Sequence, residues 1–242
     1  MIKNRRWWLM LVLTLLLMMV FTTPAWAAIG MDGEFEDWDD QAHITDPQDA
    51  GNDYFDISNF YWGNNSDDEN LYFMLERFDG YKNIVVESVI YFDINNNGSY
   101  DDAVDRFAVI HYRPHPSKGF VDVEVYPASS RKHSQIIGSY HGDWGAADSD
   151  GGLQWEFYVP MSDLDIQMGQ SIRMYAFTTD NDGNNNNNDH HDYNIIDRIP
   201  DEGDIQWSPI PILGQWGWLF LLVGGLGAAV FILWKRGKLW AG

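Results

Sequence analysis

The chain contains no cysteine among its 242 residues. This absence excludes disulfide bonds, thiol catalysis, cysteine-ligated zinc and iron–sulfur clusters, because each of these needs the cysteine sulfur. A domain without disulfides has to gain its stability from its hydrophobic core or from bound metal. Apolar strand patterns, which would form a core, and oxygen-bearing side chains, which could bind a metal, are therefore the informative features of this sequence.

Basic residues are also few, with 15 Lys and Arg against 36 Asp and Glu and a formal net charge of −21. Residues 28–208 hold all 36 acidic residues and only nine of the basic ones, which gives this segment a charge of −27. Nucleic acid is excluded as a partner, because its phosphates repel such a surface. The acidic residues cluster in loops between aromatic residues, a pattern that favours cation binding.

Common catalytic motifs are missing as well: the sequence shows no HExxH zinc motif, phosphate-binding glycine loop or Ser-His-Asp pattern. With so many acidic residues, carboxylate pairs suited to glycoside hydrolysis would occur by chance and carry little information. The sequence therefore predicts a protein that is not an enzyme.

Long apolar runs occur only at the two ends of the chain. Residues 1–27 have the pattern of a secretory signal peptide: Lys3, Arg5 and Arg6 precede the apolar residues 7–21. The small-x-small sequence at residues 25–27 predicts cleavage after Ala27. We expect the chain to be exported across a bacterial cytoplasmic membrane.

The second run, residues 216–234, contains no charged residue and is long enough to cross a hydrocarbon core of about 30 Å. Tryptophans lie at both of its ends, as they do at membrane interfaces. The basic tail at residues 235–242 should stay in the cytoplasm by the positive-inside rule. The sequence thus predicts a single-pass membrane anchor with most of the chain outside the cytoplasm.

Residues 209–215 form a linker that contains part of a motif, since residues 210–217 read IPILGQWG. This stretch resembles the bacterial C-terminal sorting signals that carry Ile-Pro-Thr-Leu-Ser-Glu-Trp-Gly before a hydrophobic helix and a basic cluster. Ile212 replaces the threonine of that motif. Two outcomes stay open: retention in the membrane, or display at the cell surface after sorting.

Residues 28–208 form one segment of a size that fits a single domain. Short runs rich in β-branched and aromatic residues alternate with turn residues, and no convincing amphipathic helix is present. We expect an all-β fold, an antiparallel and jelly-roll-like β-sandwich of eight or nine strands. The clearest predicted strands are 57–62, 71–78, 84–92, 106–113, 120–126, 153–159 and 172–179, with a short edge strand within 135–141.

The loop at residues 93–105, DINNNGSYDDAVD, joins two of these strands. Oxygen-bearing side chains alternate around Gly98, which permits a sharp turn. Such oxygens can converge on calcium, which takes six to eight oxygen ligands. The candidate ligands are Asp93, Asn95, Asn97, Ser99, Asp101 and Asp105. The alternative is a polar hairpin loop, because turns prefer the same residue types.

Two further loops have similar chemistry. The first offers Asp46, Asp49, Asp53 and Asp56 as calcium ligands, and the second offers Asp180 and Asp182 beside a run of asparagines. For the second loop the alternative is a low-complexity segment without a metal.

Several motifs in succession resemble family 9 carbohydrate-binding modules and related DOMON-like domains. MDGEFEDW at residues 31–38 is similar to the Ile-Asp-Gly-x-x-Asp-x-Trp opening of that family, and ENLYF at 69–73, YFD at 91–93 and WEFYVPMSDL at 155–164 follow in order. The resemblance implies a β-sandwich with structural calcium and often a sugar-binding face. Some DOMON-like domains hold haem through Met and His ligands, for which Met74, Met168 and His111 are available.

These observations lead to two functional hypotheses. The first is an exported, membrane-anchored, calcium-stabilised binding module that contacts a polysaccharide at the cell surface. Its candidate ligand contacts are Trp144 and Trp62, because aromatic faces stack on the C–H groups of sugars. The second is a non-catalytic structural or adhesive surface protein, in which calcium stiffens the domain and the partner is another protein.

Overall fold

The computed structural model describes residues 28–65, 68–79, 84–115, 118–129, 135–144, 152–179 and 193–209. The predicted signal peptide, sorting motif, membrane anchor and basic tail lie outside these residues. Among the residues described, none belongs to a helix that is both long and apolar enough to cross a membrane.

The described chain is almost entirely β-structure. Its helical parts are a 3₁₀ turn at Glu36–Trp38 and a single turn, α1, at Met161–Leu164. The strands are β1 (Ala42–Thr45), β2 (Ile57–Asn64), β3 (Asn70–Arg77), β4 (Val86–Asp93), β5 (Arg106–Arg113), β6 (Phe120–Pro127), β7 (Gly138–His141), β8 (Gln154–Pro160), β9 (Ile172–Thr179), β10 (Ile195–Ile199) and β11 (Ile205–Trp207). The predicted all-β class is confirmed, and the predicted strands correspond to β2–β9.

The strands form two antiparallel sheets. The smaller sheet has the order β1-β2-β3-β8, and the larger has the order β10-β9-β4-β5-β6-β7, with β11 also pairing with β9. Strands β2 and β3 pair directly, and so do β4 and β5 on either side of the loop at residues 93–105. The sequence did not predict β1, β10 and β11, which are short and lack a clean alternation of apolar and polar residues.

The main core lies between the two sheets. Phe73 of the smaller sheet contacts Phe92 of the larger one, with ring centroids 5.8 Å apart. In β6 the three valines are buried while Asp122 and Glu124 are half-buried, which is the predicted alternation of a strand with one face in the core. Packing of two sheets through alternating inward residues is the arrangement expected of a β-sandwich.

The outer face of the larger sheet carries a second apolar layer. Tyr126, Phe107, Tyr91 and Tyr175 come from four neighbouring strands and stack in a row, with successive centroids 5.2, 5.3 and 5.5 Å apart. The guanidinium carbon of Arg198 lies 4.3 Å from the Tyr175 centroid at the end of the row. Strand β4 is consequently buried along its whole length, which explains its long apolar run.

A buried carboxylate ties the start of the described chain to the smaller sheet. Glu156 of β8 accepts hydrogen bonds from the backbone N–H groups of Asp32 and Gly33 at 3.0 and 2.8 Å and from Trp38 Nε1 at 2.8 Å. Burial raises the pKa of Glu156 to about 7 despite these donors. The stretch MDGEFEDW therefore packs over the outer face of this sheet.

We expect Trp38→Phe to lower the free energy of unfolding by about 2 kcal/mol more than Trp155→Phe does, because only Trp38 donates a hydrogen bond to a buried carboxylate. Both indoles are buried, and the ring nitrogen of Trp155 has no hydrogen-bond partner within the described residues. The two variants lose the same ring volume, so urea unfolding of both isolates the bond to Glu156. Equal losses would show that this bond adds no net stability.

Candidate functional site

Four aspartates converge where one edge of the smaller sheet meets the larger sheet. One carboxylate oxygen from each of Asp46, Asp49, Asp197 and Asp201 lies within 4.8 Å of the others. Asp46 and Asp197 are buried, whereas Asp49 and Asp201 are exposed. We call these four residues the aspartate cluster.

Backbone contacts position the two buried members. Asp46 follows β1, and its N–H donates to the carbonyl of Ser58 in β2 at 3.0 Å. Asp197 lies in β10 of the larger sheet, and its Oδ2 accepts a 2.6 Å hydrogen bond from the N–H of Ile57 in β2. The aspartate cluster thus lies at a junction that links the two sheets.

The cluster is electrostatically unfavourable without a cation. Asp46 is 4% exposed, and its Oδ2 has no hydrogen-bond partner in the described part of the chain. Burial, with smaller contributions from Asp197, Asp201 and Asp49, raises the pKa of Asp46 to about 7. Burial and nearby carboxylates also raise the pKa of Asp197, to about 6. A divalent cation at this position would offset both effects.

Asp56 is a fifth carboxylate close to this junction. It is fully buried, its Oδ2 accepts a 3.1 Å hydrogen bond from the N–H of Ala50, and its Oδ1 has no partner among the described residues. Burial raises its pKa above the usual range. Its charge also raises the pKa values of Asp46 and Asp197, so it contributes to the same negative field.

Of the four calcium ligands predicted in the loop at residues 46–56, the structure brings together only two. Asp46 and Asp49 belong to the aspartate cluster, while Asp53 and Asp56 do not. Sequence reasoning missed Asp197 and Asp201. The sequence signal for Asp197 was its position inside the apolar run IIDRI. Its partners Asp46 and Asp49 lie about 150 residues earlier in the chain, so only the fold brings them together. Asp180 and Asp182 lie outside the described residues.

In the loop at residues 93–105, backbone N–H groups of the loop donate hydrogen bonds to its own aspartate side chains. Asp93 accepts hydrogen bonds from the N–H groups of Asn97 and Gly98 at 3.1 and 2.7 Å. Asp105 accepts from the N–H groups of Ile94 and Asp102, both at 3.0 Å. These bonds give the geometry of a polar hairpin loop.

The remaining candidate ligands of that loop also bond within it. The side-chain oxygens of Asn95 and Asn97 accept from the N–H groups of Asn97 and Ser99 at 3.1 and 2.8 Å. The Ser99 hydroxyl donates to Asp101. Each of these oxygens keeps a second acceptor position, so the contacts neither require nor prevent a calcium ion, and calcium binding by this loop stays a prediction.

The two tryptophans predicted as ligand contacts are half-buried. Trp62 packs near Phe60, with centroids 5.7 Å apart, and Trp144 lies 6.4 Å from Tyr112. Trp144 also covers Gly119, where an added Cβ would lie 2.3 Å from the indole. Both rings pack on the main core, which leaves only part of each accessible, and their role in ligand binding stays a prediction.

A cavity of about 250 Å³ opens on the outer face of the larger sheet, at the end of the aromatic row. Its lining is Tyr91, Tyr100, Asp101, Tyr175, Phe177, Tyr193 and Ile195. Tyr100 lies edge-on to Tyr175, with centroids 4.8 Å apart. The accessible lining of this open cavity is more polar than apolar, because phenol groups and the Asp101 carboxylate lie beside the ring faces. The sequence did not single out these tyrosines. Tyr91 and Tyr175 lie in strands, where aromatic residues resemble core residues, and Tyr100 and Tyr193 lie outside the strands.

The two methionines and the histidine considered for haem do not converge. Met168 packs against the main core between the sheets. Met74 packs with Trp38 and Tyr72 on the outer face of the smaller sheet. His111 faces Glu87 on the outer face of the larger sheet. The two side chains therefore lie on opposite sides of the pair of sheets and could not ligate one haem together.

No family model matches the chain, and neither the curated proteins nor the solved structures contain a match to it. The features of the molecule that bear on its function are therefore the aspartate cluster, the tyrosine-lined cavity and the sequence features at the two ends of the chain.

Proposed function

We propose that the chain is an exported, membrane-anchored binding module, a jelly-roll-like β-sandwich stabilised by calcium, that contacts carbohydrate at the cell surface. The observation that carries the proposal is the buried Asp46 carboxylate: its Oδ2 has no hydrogen-bond partner in the described chain, and one of its oxygens lies within 4.8 Å of oxygens from three other aspartates. A buried charge of this kind is strongly destabilising unless a cation or a proton compensates it.

The donor set fits calcium better than the other common cations. The aspartate cluster offers oxygen atoms and no imidazole or thiol, whereas zinc favours nitrogen and sulfur. Calcium accepts several carboxylates at flexible distances of about 2.3–2.6 Å, while magnesium usually retains most of its water. Asp46, Asp49, Asp197 and Asp201 would hold the ion, and the exposed side of the cluster would supply water ligands.

Such an ion would act on the fold as a whole. Asp46 continues from the smaller sheet and Asp197 belongs to the larger one, so a shared ion would join the two sheets at this edge. Metal bound only by the folded state stabilises it in proportion to the logarithm of the metal concentration. We thus propose calcium as a structural ion that maintains the conformation of the binding surface.

The tyrosine-lined cavity supports the carbohydrate part of the proposal. Its aromatic rings provide apolar contacts for sugar C–H groups, and the phenol hydroxyls and Asp101 provide hydrogen-bonding groups for sugar hydroxyls. The resemblance to family 9 carbohydrate-binding modules and the predicted export of the chain agree with this ligand class. Trp62 and Trp144 are the second candidate surface for the same ligand.

The test is retention of the purified full chain, in mild detergent, on a panel of insoluble and cell-surface polysaccharides in calcium and again in chelator. We expect retention on at least one polymer in calcium and its loss in chelator. Tyr100→Ala should abolish retention if the cavity is the contact surface, while Trp144→Ala and Trp62→Ala test the alternative surface. Absence of retention on every polymer in calcium would contradict the carbohydrate proposal.

The alternative, a structural or adhesive protein, is favoured by one specific observation. In the described chain β7 ends the larger sheet, and Ile136 and Ile137 just before it are 45% and 40% exposed. Apolar side chains beside the end strand of a sheet suit contact with another protein, including strand addition. Calcium-dependent stability without polysaccharide retention would support this alternative.

A further inference from the structure

The loop at residues 93–105 contributes two consecutive residues to the tyrosine-lined cavity. Tyr100 and Asp101 both line it, together with Tyr91 and Tyr175 from strands of the larger sheet. The cavity volume of about 250 Å³ is smaller than the roughly 300–1,000 Å³ of pockets for drug-sized ligands. The cavity therefore suits one small unit of a ligand, such as a single sugar.

The aromatic rings of the cavity lie in crossed orientations. Tyr175 is nearly parallel to Tyr91, with 10° between the ring planes, whereas Tyr100 is inclined at 84° to Tyr175. Tyr91 and the Arg198 guanidinium cover opposite faces of Tyr175, because β9 lies between β4 and β10 in the sheet. Tyr100 therefore meets the edge of Tyr175. Because Tyr100 is only half-buried, part of its own ring is accessible.

The aromatic row already holds one cation of the protein itself. The guanidinium carbon of Arg198 lies 4.3 Å from the Tyr175 centroid, which is a cation–π contact. Arg198 also lies 3.4 Å from the carboxylate of Asp204 and donates hydrogen bonds to the carbonyls of Pro200 and Gly203. A second cation in the cavity would therefore not face an uncompensated positive charge.

The charge around the cavity favours a cationic ligand. Asp101 is exposed, and within the described residues only the Ser99 hydroxyl donates to it, through Oδ1. The described lining contains no Lys, Arg or His. Burial and the nearby Asp204 carboxylate raise the pKa of Tyr100, so this phenol is neutral. Residues 28–208 as a whole have a charge of −27, and a cation gains from this field while a neutral sugar does not.

We infer that the tyrosine-lined cavity binds an amino sugar whose amine is unacetylated and protonated; this inference rests on the proposed carbohydrate-binding function. The C–H groups of the sugar contact the accessible part of the Tyr100 ring, and its ammonium group lies beside the Asp101 carboxylate. One sugar ring carries both groups, and consecutive residues of the chain receive them. This assignment uses Asp101 for the ligand and not for calcium in the loop at residues 93–105.

The test is a calorimetric titration of the purified full chain, in mild detergent and calcium, with two soluble oligomers of equal length. One is built of glucosamine and the other of N-acetylglucosamine, at a slightly acidic pH that keeps the free amines protonated. We expect the glucosamine oligomer to bind at least about tenfold more tightly. Asp101→Asn should weaken its binding by about fivefold and Tyr100→Ala by about tenfold. Because Asp101 is exposed, Asp101→Asn stays informative even if Tyr100→Ala disturbs the packing of the row.

Matched controls separate binding in the cavity from general attraction between an acidic protein and a cationic oligomer. Asp40→Asn removes the same charge at an exposed position outside the cavity, and Tyr61→Ala removes a half-buried tyrosine of the smaller sheet. Neither should change the affinity for the glucosamine oligomer. Equal or weaker affinity for that oligomer than for the acetylated one, or equal losses in Asp101→Asn and Asp40→Asn, would overturn the amino-sugar inference and leave the carbohydrate proposal standing. The carbohydrate proposal itself fails only if no polysaccharide retains the chain.

Discussion

Asp46→Asn is expected to raise the free energy of unfolding in chelator and to lower it in calcium. Without a metal, the substitution removes a buried charge that has no hydrogen bond to one of its oxygens and is repelled by Asp197, Asp201 and Asp49. With calcium, the same substitution removes a charged ligand from the ion. We expect a change of about 1–2 kcal/mol in each condition, with opposite signs.

The measurement is thermal and urea unfolding of the full chain and the variant, each in calcium and in chelator. For the unmodified chain, calcium at about one hundred times its dissociation constant should add about 3 kcal/mol of stability. Asp40→Asn is the matched control, because it makes the same charge change at an exposed position outside the cluster. A change of the same sign in both conditions would contradict a calcium site at Asp46.

The same experiment distinguishes the aspartate cluster from the predicted calcium site at residues 93–105. Asp101→Asn changes an exposed carboxylate in the loop at residues 93–105 and leaves the aspartate cluster intact. If that loop also binds calcium, the calcium-dependent part of the stability should fall in this variant. If only the aspartate cluster binds calcium, Asp101→Asn should behave like Asp40→Asn.

Stability in chelator is expected to decrease as the pH rises from about 5 to about 8. The folded state raises the pKa of Asp46 and of Glu156 to about 7 and that of Asp197 to about 6, from ordinary values of 3.8, 4.5 and 3.8. Between the ordinary and the raised values, the folded state binds more protons than the unfolded state. The stabilisation is therefore complete below about pH 4 and is lost as the pH rises through 6 and 7.

If the three carboxyl groups titrate independently, the combined decrease should be on the order of 6 kcal/mol, as read from urea unfolding at several pH values. Calcium should remove the part that belongs to Asp46 and Asp197, because the ion stabilises their charged forms. The part that belongs to Glu156 should remain in calcium and should disappear in Glu156→Gln. Stability that increases between about pH 5 and pH 8 in chelator would show that these carboxylates are not destabilised in the folded state.

The local pattern of the sequence predicted most of the fold. The alternation of valines with Asp122 and Glu124 predicted β6 and its buried face, and the apolar run before Asp93 predicted β4. These predictions succeeded because side-chain direction in a strand repeats every two residues and depends mainly on neighbouring sequence. By contrast, β10 contains Asp197 and Arg198 within an apolar run, so its pattern did not identify it as a strand.

The position of the candidate site was only partly predictable. The loop after β1 was correctly selected as acidic, but its own Asp53 and Asp56 are not the residues that complete the aspartate cluster. Asp197 and Asp201 complete it, because β10 lies at the end of the larger sheet and contacts β2. Such contacts depend on strand order, which a single sequence does not reveal.

By itself the sequence determined the all-β class, the absence of disulfides and the strongly acidic character of the domain, because each follows from composition or from local periodicity. The tertiary structure alone decided which carboxylates become buried together, that Glu156 anchors the stretch around Trp38, and that Tyr100 and Asp101 line one cavity with Tyr175. The physical reason is that strands far apart in the sequence pair and pack against one another. Their register determines which side chains become buried and which of them come together.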